Sequence, residues 1–375
     1  MSQQDSANGN RPVELPLLTT RRLIQTVVIV LILLGGIYFL FPKLVGLGDA
    51  MSKLDDADPV WIGIAIGFSV ASFATYIALF KAVVGGEALR LTWLETYEIN
   101  MAGVAATLLF SAGGAGGIAL TYWALRKAGM RRRDVARRMV AFISLHYAFY
   151  PIALIACGIL LRTGVVNGDS SVELTIIPAA IAGLMLVVGV LIALIPTDLE
   201  RRLMPISDNE KWHGFVRSVA KVPETLGEGF RFAMHLFAHP SRGGLAVLGA
   251  AGYWAASIGV LWASFHAFGV HVPLAVVIQG FFLGMVANLF PLAPAGVGAV
   301  DAGMIGAFVL FGIPEETVFP AILIFRLVAF WLPIPPGIVA FFQLRKTVRR
   351  WEVEGLPIDR GEGATSEYEP VTSGP

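Results

Sequence analysis

Ser111-Ala-Gly-Gly-Ala-Gly-Gly117 and Pro291-Leu-Ala-Pro-Ala-Gly-Val-Gly298 interrupt two otherwise apolar stretches at corresponding places in the two halves of the chain. Non-helical backbone at membrane depth persists only where protein or trapped water satisfies its N–H and C=O groups. Duplicated transporters use paired breaks of this kind to set backbone dipoles near the bilayer midplane. The two breaks therefore predict both a fold and a site. The rest of the chain agrees, since 56% of its 375 residues are hydrophobic, 15% are charged, and the charges gather in blocks between long apolar runs. A net charge of +1 supplies no global basic field for nucleic acid. Cys157 is the single cysteine, so no intrachain disulfide forms, and its apolar setting reads as packing.

The hydropathy pattern predicts an all-α polytopic membrane helix bundle with about six full spans, at 23–41, 60–80, 139–161, 174–195, 244–268 and 320–343. Residues 1–22 and 346–375 are expected to be disordered tails around a transmembrane domain over 23–345. Leu23 to Phe41, after Arg21 and Arg22, reads as a retained signal anchor, against a cleavage near Gly48-Asp49-Ala50. Basic residues set the orientation: Arg126 to Arg138, Arg21 and Arg22, and Arg345, Lys346, Arg349 and Arg350 all fall on one side, predicted to be cytoplasmic. Asp49, Asp55, Asp56, Asp58, Glu315 and Glu316 fall on the other. This predicts a bacterial inner-membrane protein with both termini in the cytoplasm.

Two further apolar pairs remain, 92–112 with 116–125 and 273–290 with 297–312, each broken by one glycine-rich element. Ten helical residues reach only about 15 Å, half a crossing, so 116–125 is expected to turn back rather than span. The first pair then forms a re-entrant helical hairpin from the cytoplasmic side. The second pair is longer and could span fully, yet it carries the same element, with Gly296-Val-Gly298 matching Gly114-Ala-Gly116 and Gly312 matching Gly129, and parity places it on the opposite side. Units 60–161 and 244–343 become an inverted repeat. The alternative is ordinary small-residue helix packing at both places. Between the units, 197–243 is too polar to span. Trp212, Phe215, Val216 and Val219, then Leu226, Phe230, Ala233 and Phe237 after Pro223, predict two amphipathic cytoplasmic helices, lying on the membrane surface or packed on the bundle.

A helix that starts at a glycine break leaves N–H groups unpaired, and anions bind there. The helices beginning near Gly116 and Gly298 are therefore candidate phosphate sites, with Gly114, Pro294 and Gly296 in the breaks and Asn288 just before the second. Asp301 and Arg326 are ionisable at membrane depth, where each costs roughly 3 kcal/mol or more unless paired or hydrated. Three accounts stand: a structural ion pair, Arg326 as a ligand for a headgroup phosphate, or snorkelling of one of them. His146 falls near the repeat-related counterpart of Arg326 and is a substrate-binding candidate or a packed histidine. Glu95 and Glu98 share a helix face, Asn100 could bridge the first hairpin, and Pro333, Pro335 and Pro336 predict a kinked or split last span. His235 and His239 lack a third ligand, so no metal is expected, and neither a nucleotide-binding element nor a clustered acid, base and nucleophile is present.

The stretch Gln279-Gly-Phe-Phe-Leu-Gly-Met-Val-Ala-Asn-Leu-Phe-Pro-Leu-Ala-Pro-Ala-Gly-Val-Gly-Ala-Val-Asp-Ala-Gly-Met-Ile-Gly-Ala-Phe-Val-Leu-Phe-Gly-Ile-Pro314, with Phe325-Arg-Leu-Val-Ala-Phe-Trp-Leu-Pro333, resembles the flippase-like membrane region of lysylphosphatidylglycerol synthetases. Asn100 to Gly129 resembles that family's first glycine-rich element. The resemblance implies a role in moving phospholipid between leaflets, with Gly296, Gly298, Asp301 and Arg326 at the family's glycine, acidic and arginine positions. It implies no cofactor and no aminoacylation, because the aminoacyl-transferring domain is absent. Gly117-Ile-Ala-Leu-Thr121 departs from the acidic residue and arginine that many relatives carry there. The expected function is translocation or binding of a phospholipid or lipid-linked anion, without catalysis, and the expected partners are lipids with anionic or zwitterionic headgroups. The alternative is a non-transporting scaffold or regulatory partner of a separate lipid-modifying enzyme.

Overall fold

A computed structural model describes residues 56–85, 91–109, 115–168, 171–195, 210–286 and 298–353. The expected span 23–41, the tail 1–22, residues 354–375 of the other tail, Gly114, Asn288, Pro294 and Gly296 lie outside them, while 346–353, expected to be disordered, continue the last helix. The described residues are helical and contain no strand: α1 (Pro59–Val84), α2 (Trp93–Leu109), α3 (Ala115–Lys127), α4 (Arg132–Arg162), α5 (Val172–Ala193), α6 (Glu210–Ala238), α7 (Pro240–His266), α8 (Leu274–Met285), α9 (Ala299–Leu310), α10 (Glu315–Arg326), a π-helical turn (Leu327–Trp331) and α11 (Ile334–Val353). Five segments are long and apolar enough to cross a membrane: α1, α4, α5, α7 and the composite of α10, the π turn and α11. These match the five expected spans that fall within the described residues. The chain is a multi-pass membrane protein.

Each boundary has a local cause. Asp58 caps α1, its Oδ1 accepting the Val60 N–H at 2.8 Å, and Pro59 follows at a position that needs no donor. Thr92 and Glu95 form a capping box on α2: Glu95 Oε2 accepts from the Thr92 N–H at 2.8 Å, and the Thr92 hydroxyl accepts from the Glu95 N–H at 3.2 Å. The basic segment 126–138, read as a loop, is mostly helix, and only Ala128–Arg131 lie between α3 and α4. Hydropathy marks the part of a helix that meets lipid, and α4 continues past it into water.

The pairs α2–α3 and α8–α9 pack against each other. Their helices have 17, 13, 12 and 12 residues, about 18–26 Å each, short of the roughly 20 residues that a crossing needs. In the first pair the close approach is built on glycine. A Cβ at Gly117 would sit 2.5 Å from the Gly103 carbonyl oxygen, and one at Gly103 2.9 Å from Thr121 Oγ1. The second pair is anchored to the bundle by polar groups: Tyr150 of α4 donates to the Phe282 carbonyl at 2.7 Å, and Gln279 Nε2 donates to the Leu174 carbonyl at 2.9 Å.

Two expectations need correction. The linker does not break at Pro223: α6 runs continuously from Glu210 to Ala238. Its second half packs on α4 and α5, where Gly227 and Gly229 approach backbone of those helices and Arg231 Nη1 donates to the Ala193 carbonyl at 2.8 Å. Packing supplies what proline withholds. The last span is interrupted, as expected, but before its prolines. Rings at Pro333, Pro335 and Pro336 clash with carbonyls four residues earlier, and the backbone responds with a π turn in which the Leu332 N–H reaches the Leu327 carbonyl at 3.0 Å. The Val328 carbonyl loses its ordinary partner and accepts instead from the buried Ser69 hydroxyl at 3.1 Å.

Candidate functional site

Helix α9 starts at Gly298, whose φ of 84° favours glycine. Asp301, three residues on, turns back so that its Oδ2 accepts the Gly298 N–H at 2.9 Å. The helix N-terminus therefore already holds an anion, the carboxylate of its own chain, in the geometry of a capping box. The other oxygen of Asp301 accepts from Nε of Arg326, at the last turn of α10. The side chains are 15% and 9% exposed, so the pair is largely withdrawn from solvent. Arg326 also lies over the Phe330 ring, 5.5 Å from its centroid, inside the π turn.

The structure thus brings together three of the predicted residues, Gly298, Asp301 and Arg326, at the start of one half-length helix and beside a break in a spanning one. Gly298 itself is exposed at this turn. A buried guanidinium needs a counter-charge, and the Asp301 carboxylate, itself fixed by a backbone N–H, supplies one. The group can exchange one anion for another more cheaply than it can go without, and a planar fork of N–H donors suits phosphate as well as carboxylate.

Other predicted residues take different places. Gly116 lies in the first turn of α3. His146 is 6% exposed and sits among rings, with centroids 5.1 Å from Tyr76, 4.7 Å from Tyr253 and 5.0 Å from Trp254. Its carbonyl accepts from Trp254 Nε1 at 2.6 Å and its Nδ1 is buried without a partner. Glu95 and Glu98 part company. Glu95 ties α2 to α11, accepting from Trp351 Nε1 at 3.1 Å and pairing with Arg350 at 3.3 Å. Burial would raise its pKa, but the Thr92 N–H and hydroxyl, the Trp351 indole and the Arg350 charge together hold it below the usual glutamate value. Glu98 and Asn100 are each 4% exposed, and Glu98 Oε2 and Asn100 Nδ2 have no partner. His239 Nδ1 lies 3.0 Å from the His235 carbonyl, and among the described residues no three His, Cys, Asp or Glu side chains group to hold a metal ion.

Sequence reasoning missed the capping role of Asp301, although Gly298-Ala-Val-Asp301 carries its signal: an acid at the third helical position after a residue fit for an N-cap. It also missed Ser69 and Tyr150, whose single hydroxyls give no pattern.

Residues 22–337 match the family described as the lysylphosphatidylglycerol synthase TM region. The chain is also 22% identical over 310 residues to a UPF0104 membrane protein of Methanothermobacter thermautotrophicus, covering 79% of this chain and 89% of that one. A second match to a protein so described in the same organism is 32% identical over 79 residues, 21% of this chain and 24% of the other. The chain belongs to the lysylphosphatidylglycerol synthase TM region family.

Proposed function

We propose that this member of the lysylphosphatidylglycerol synthase TM region family moves a phospholipid or lipid-linked anion between the leaflets of the plasma membrane, with both termini in the cytoplasm. The observation that carries the reading is the buried Asp301–Arg326 pair at the start of α9. In the proposed cycle a headgroup phosphate enters at the exposed Gly298 turn and replaces the Asp301 carboxylate on Arg326, while Asp301 keeps its bond to the Gly298 N–H. Arg326 is never left without a counter-charge, so the step avoids the several kcal/mol that a lone buried ion costs. The half-length pairs α2–α3 and α8–α9 act as opposed hairpins of an inverted repeat, the second carrying charge and the first backbone and glycine. In this reading the chain catalyses no covalent reaction.

Leaflet exchange of a fluorescent phospholipid in reconstituted vesicles tests it. Wild-type protein is expected to accelerate exchange, and Arg326→Ala to abolish it. Exchange by folded Arg326→Ala equal to wild type, or by wild type equal to empty vesicles, refutes the reading.

A further inference from the structure

At the end of the bundle where α1 and α10 begin and α7 ends, a cavity of about 560 Å³ is lined by Asp56, Asp58, Trp61, His266, His271 and Glu316, with Thr317, Pro320 and the turn Ala267–Gly269 completing its wall. That volume falls in the range of small-molecule sites, about 300–1,000 Å³. It lies apart from Asp301 and Arg326: Glu316 and Arg326 are ten residues apart on α10, about 15 Å along the helix. Its described lining holds three carboxylates and neither lysine nor arginine.

The sign of the pocket follows from a short sum. The N-termini of α1 and α10 contribute about +0.5 each and the C-terminus of α7 about −0.5, so three carboxylates leave a net negative charge of about two to three. Asp58 uses Oδ1 as the α1 cap, which fixes its position without removing its charge. The histidines do not reverse it. His266 Nδ1 lies 2.9 Å from the Trp262 carbonyl and donates there, and His266 Nε2 and His271 Nδ1, 3.2 Å apart, share one hydrogen between them. A single shared hydrogen allows the two rings at most one positive charge together, so the sum over the described lining stays negative.

The wall chemistry selects among cations. Asp56, Asp58 and Glu316 line the cavity, and among the described residues no three potential ligands group to hold a metal ion. What the wall offers is ring surface. Trp61 and His266 are held with centroids 4.7 Å apart, and Trp262 closes behind both at 5.3 and 4.1 Å. A negative lining beside an indole face suits an organic ammonium, which needs no fixed coordination shell and is attracted by the ring quadrupole.

We propose that this pocket binds an organic ammonium group, the amine end of a zwitterionic lipid headgroup at the membrane surface. The lipid assignment rests on the translocation reading; the ammonium assignment does not. The test uses the full chain in phosphatidylglycerol nanodiscs, with binding of soluble probes read by saturation-transfer NMR. Glycerophosphoethanolamine is expected to bind more tightly than glycerophosphate, which lacks the amine and has only the Arg326 site to occupy. Asp56→Asn with Glu316→Gln, both exposed positions, is expected to weaken binding roughly tenfold, the sum of two screened charge pairs. Trp61→Leu is expected to weaken it as well, and Trp61→Phe, which keeps a ring, to weaken it less. Arg326→Lys is expected to leave the advantage of glycerophosphoethanolamine over glycerophosphate unchanged, so the pocket and the translocation reading fail separately. Equal binding of glycerophosphate, or full binding by both the double variant and Trp61→Leu, overturns the proposal. Ethanolamine binding as tightly as glycerophosphoethanolamine keeps the ammonium site and overturns the lipid as its source.

Discussion

Arg326→Met, Asp301→Asn and the two combined separate a coupled pair from two independent polar residues. In Arg326→Met the Asp301 carboxylate, 15% exposed, loses the guanidinium and keeps the Gly298 N–H. In Asp301→Asn the amide oxygen can keep that N–H, but a guanidinium 9% exposed loses the Asp301 carboxylate. Removing one member of a buried pair costs about 3–5 kcal/mol. The partial exposure of both side chains places each single variant near the lower end, about 3 kcal/mol, with Asp301→Asn the milder because the cap survives. Removing both leaves no uncompensated charge, so the double variant should lose only about 1–2 kcal/mol, a non-additivity of at least about 3 kcal/mol. Unfolding in mixed detergent–SDS micelles measures these differences, and leaflet exchange on the same samples measures function. Double-variant stability equal to the sum of the singles would refute the pairing argument. Exchange undiminished in the stable double variant would refute Arg326 as the phosphate ligand.

Gly117→Ala forces a Cβ against the Gly103 carbonyl oxygen and Thr107, and should destabilise by about 1–3 kcal/mol. Gly103→Ala meets a rotatable Thr121 hydroxyl instead and should lose less; thermal unfolding in nanodiscs ranks them. His146→Phe removes a buried imidazole nitrogen that has no partner while keeping the ring contacts, so its stability should change by less than about 1.5 kcal/mol. A loss of exchange in that stable variant would give the imidazole a role in substrate handling. Glu95→Gln should be less stable than wild type near neutral pH. The folded pKa of Glu95 is lowered, so its contribution is present above the unfolded value and fades as pH falls through the folded one. The two unfolding curves should converge in acid, and a gap that persists there would contradict the ion-pair account.

The spans were legible because crossing lipid imposes length and apolarity on consecutive residues: 60–80, 139–161 and 174–195 lie within α1, α4 and largely α5. The first short pair was legible for the same reason, since a 13-residue helix cannot hide its shortness, whereas the second read as long enough to span and its two helices have 12 residues each. Where the reading failed, the cause was tertiary. Pro223 breaks a helix in isolation but not one seated on α4 and α5, and hydropathy does not see α4 start at Arg132. The interruption of the last span was anticipated from its prolines; its form was not. A π turn one helical turn upstream depends on Ser69, far away in sequence, taking the freed Val328 carbonyl.

The two hairpins were expected to differ because only the second keeps an acid and an arginine, and the geometry gives that difference a physical meaning. In the first, Gly103 and Gly117 bring α2 and α3 together, and a side chain at Gly117 could not enter without moving the Gly103 backbone. A joint packed that closely transmits motion as a rigid unit. In the second, the start of α9 is held by a carboxylate that belongs equally to its cap and to Arg326. A competing anion that takes Arg326 changes what holds α9 to α10, so occupancy and position of that hairpin are linked by one residue. In the proposed cycle substrate biases such an element only by binding its two positions unequally, and Asp301, shared between the helix start and the guanidinium, is where that inequality would enter. The ammonium pocket sits at the other end of α10, on the same helix that carries Arg326. A zwitterionic headgroup arriving at one end meets, about three turns along, the group that would take its phosphate.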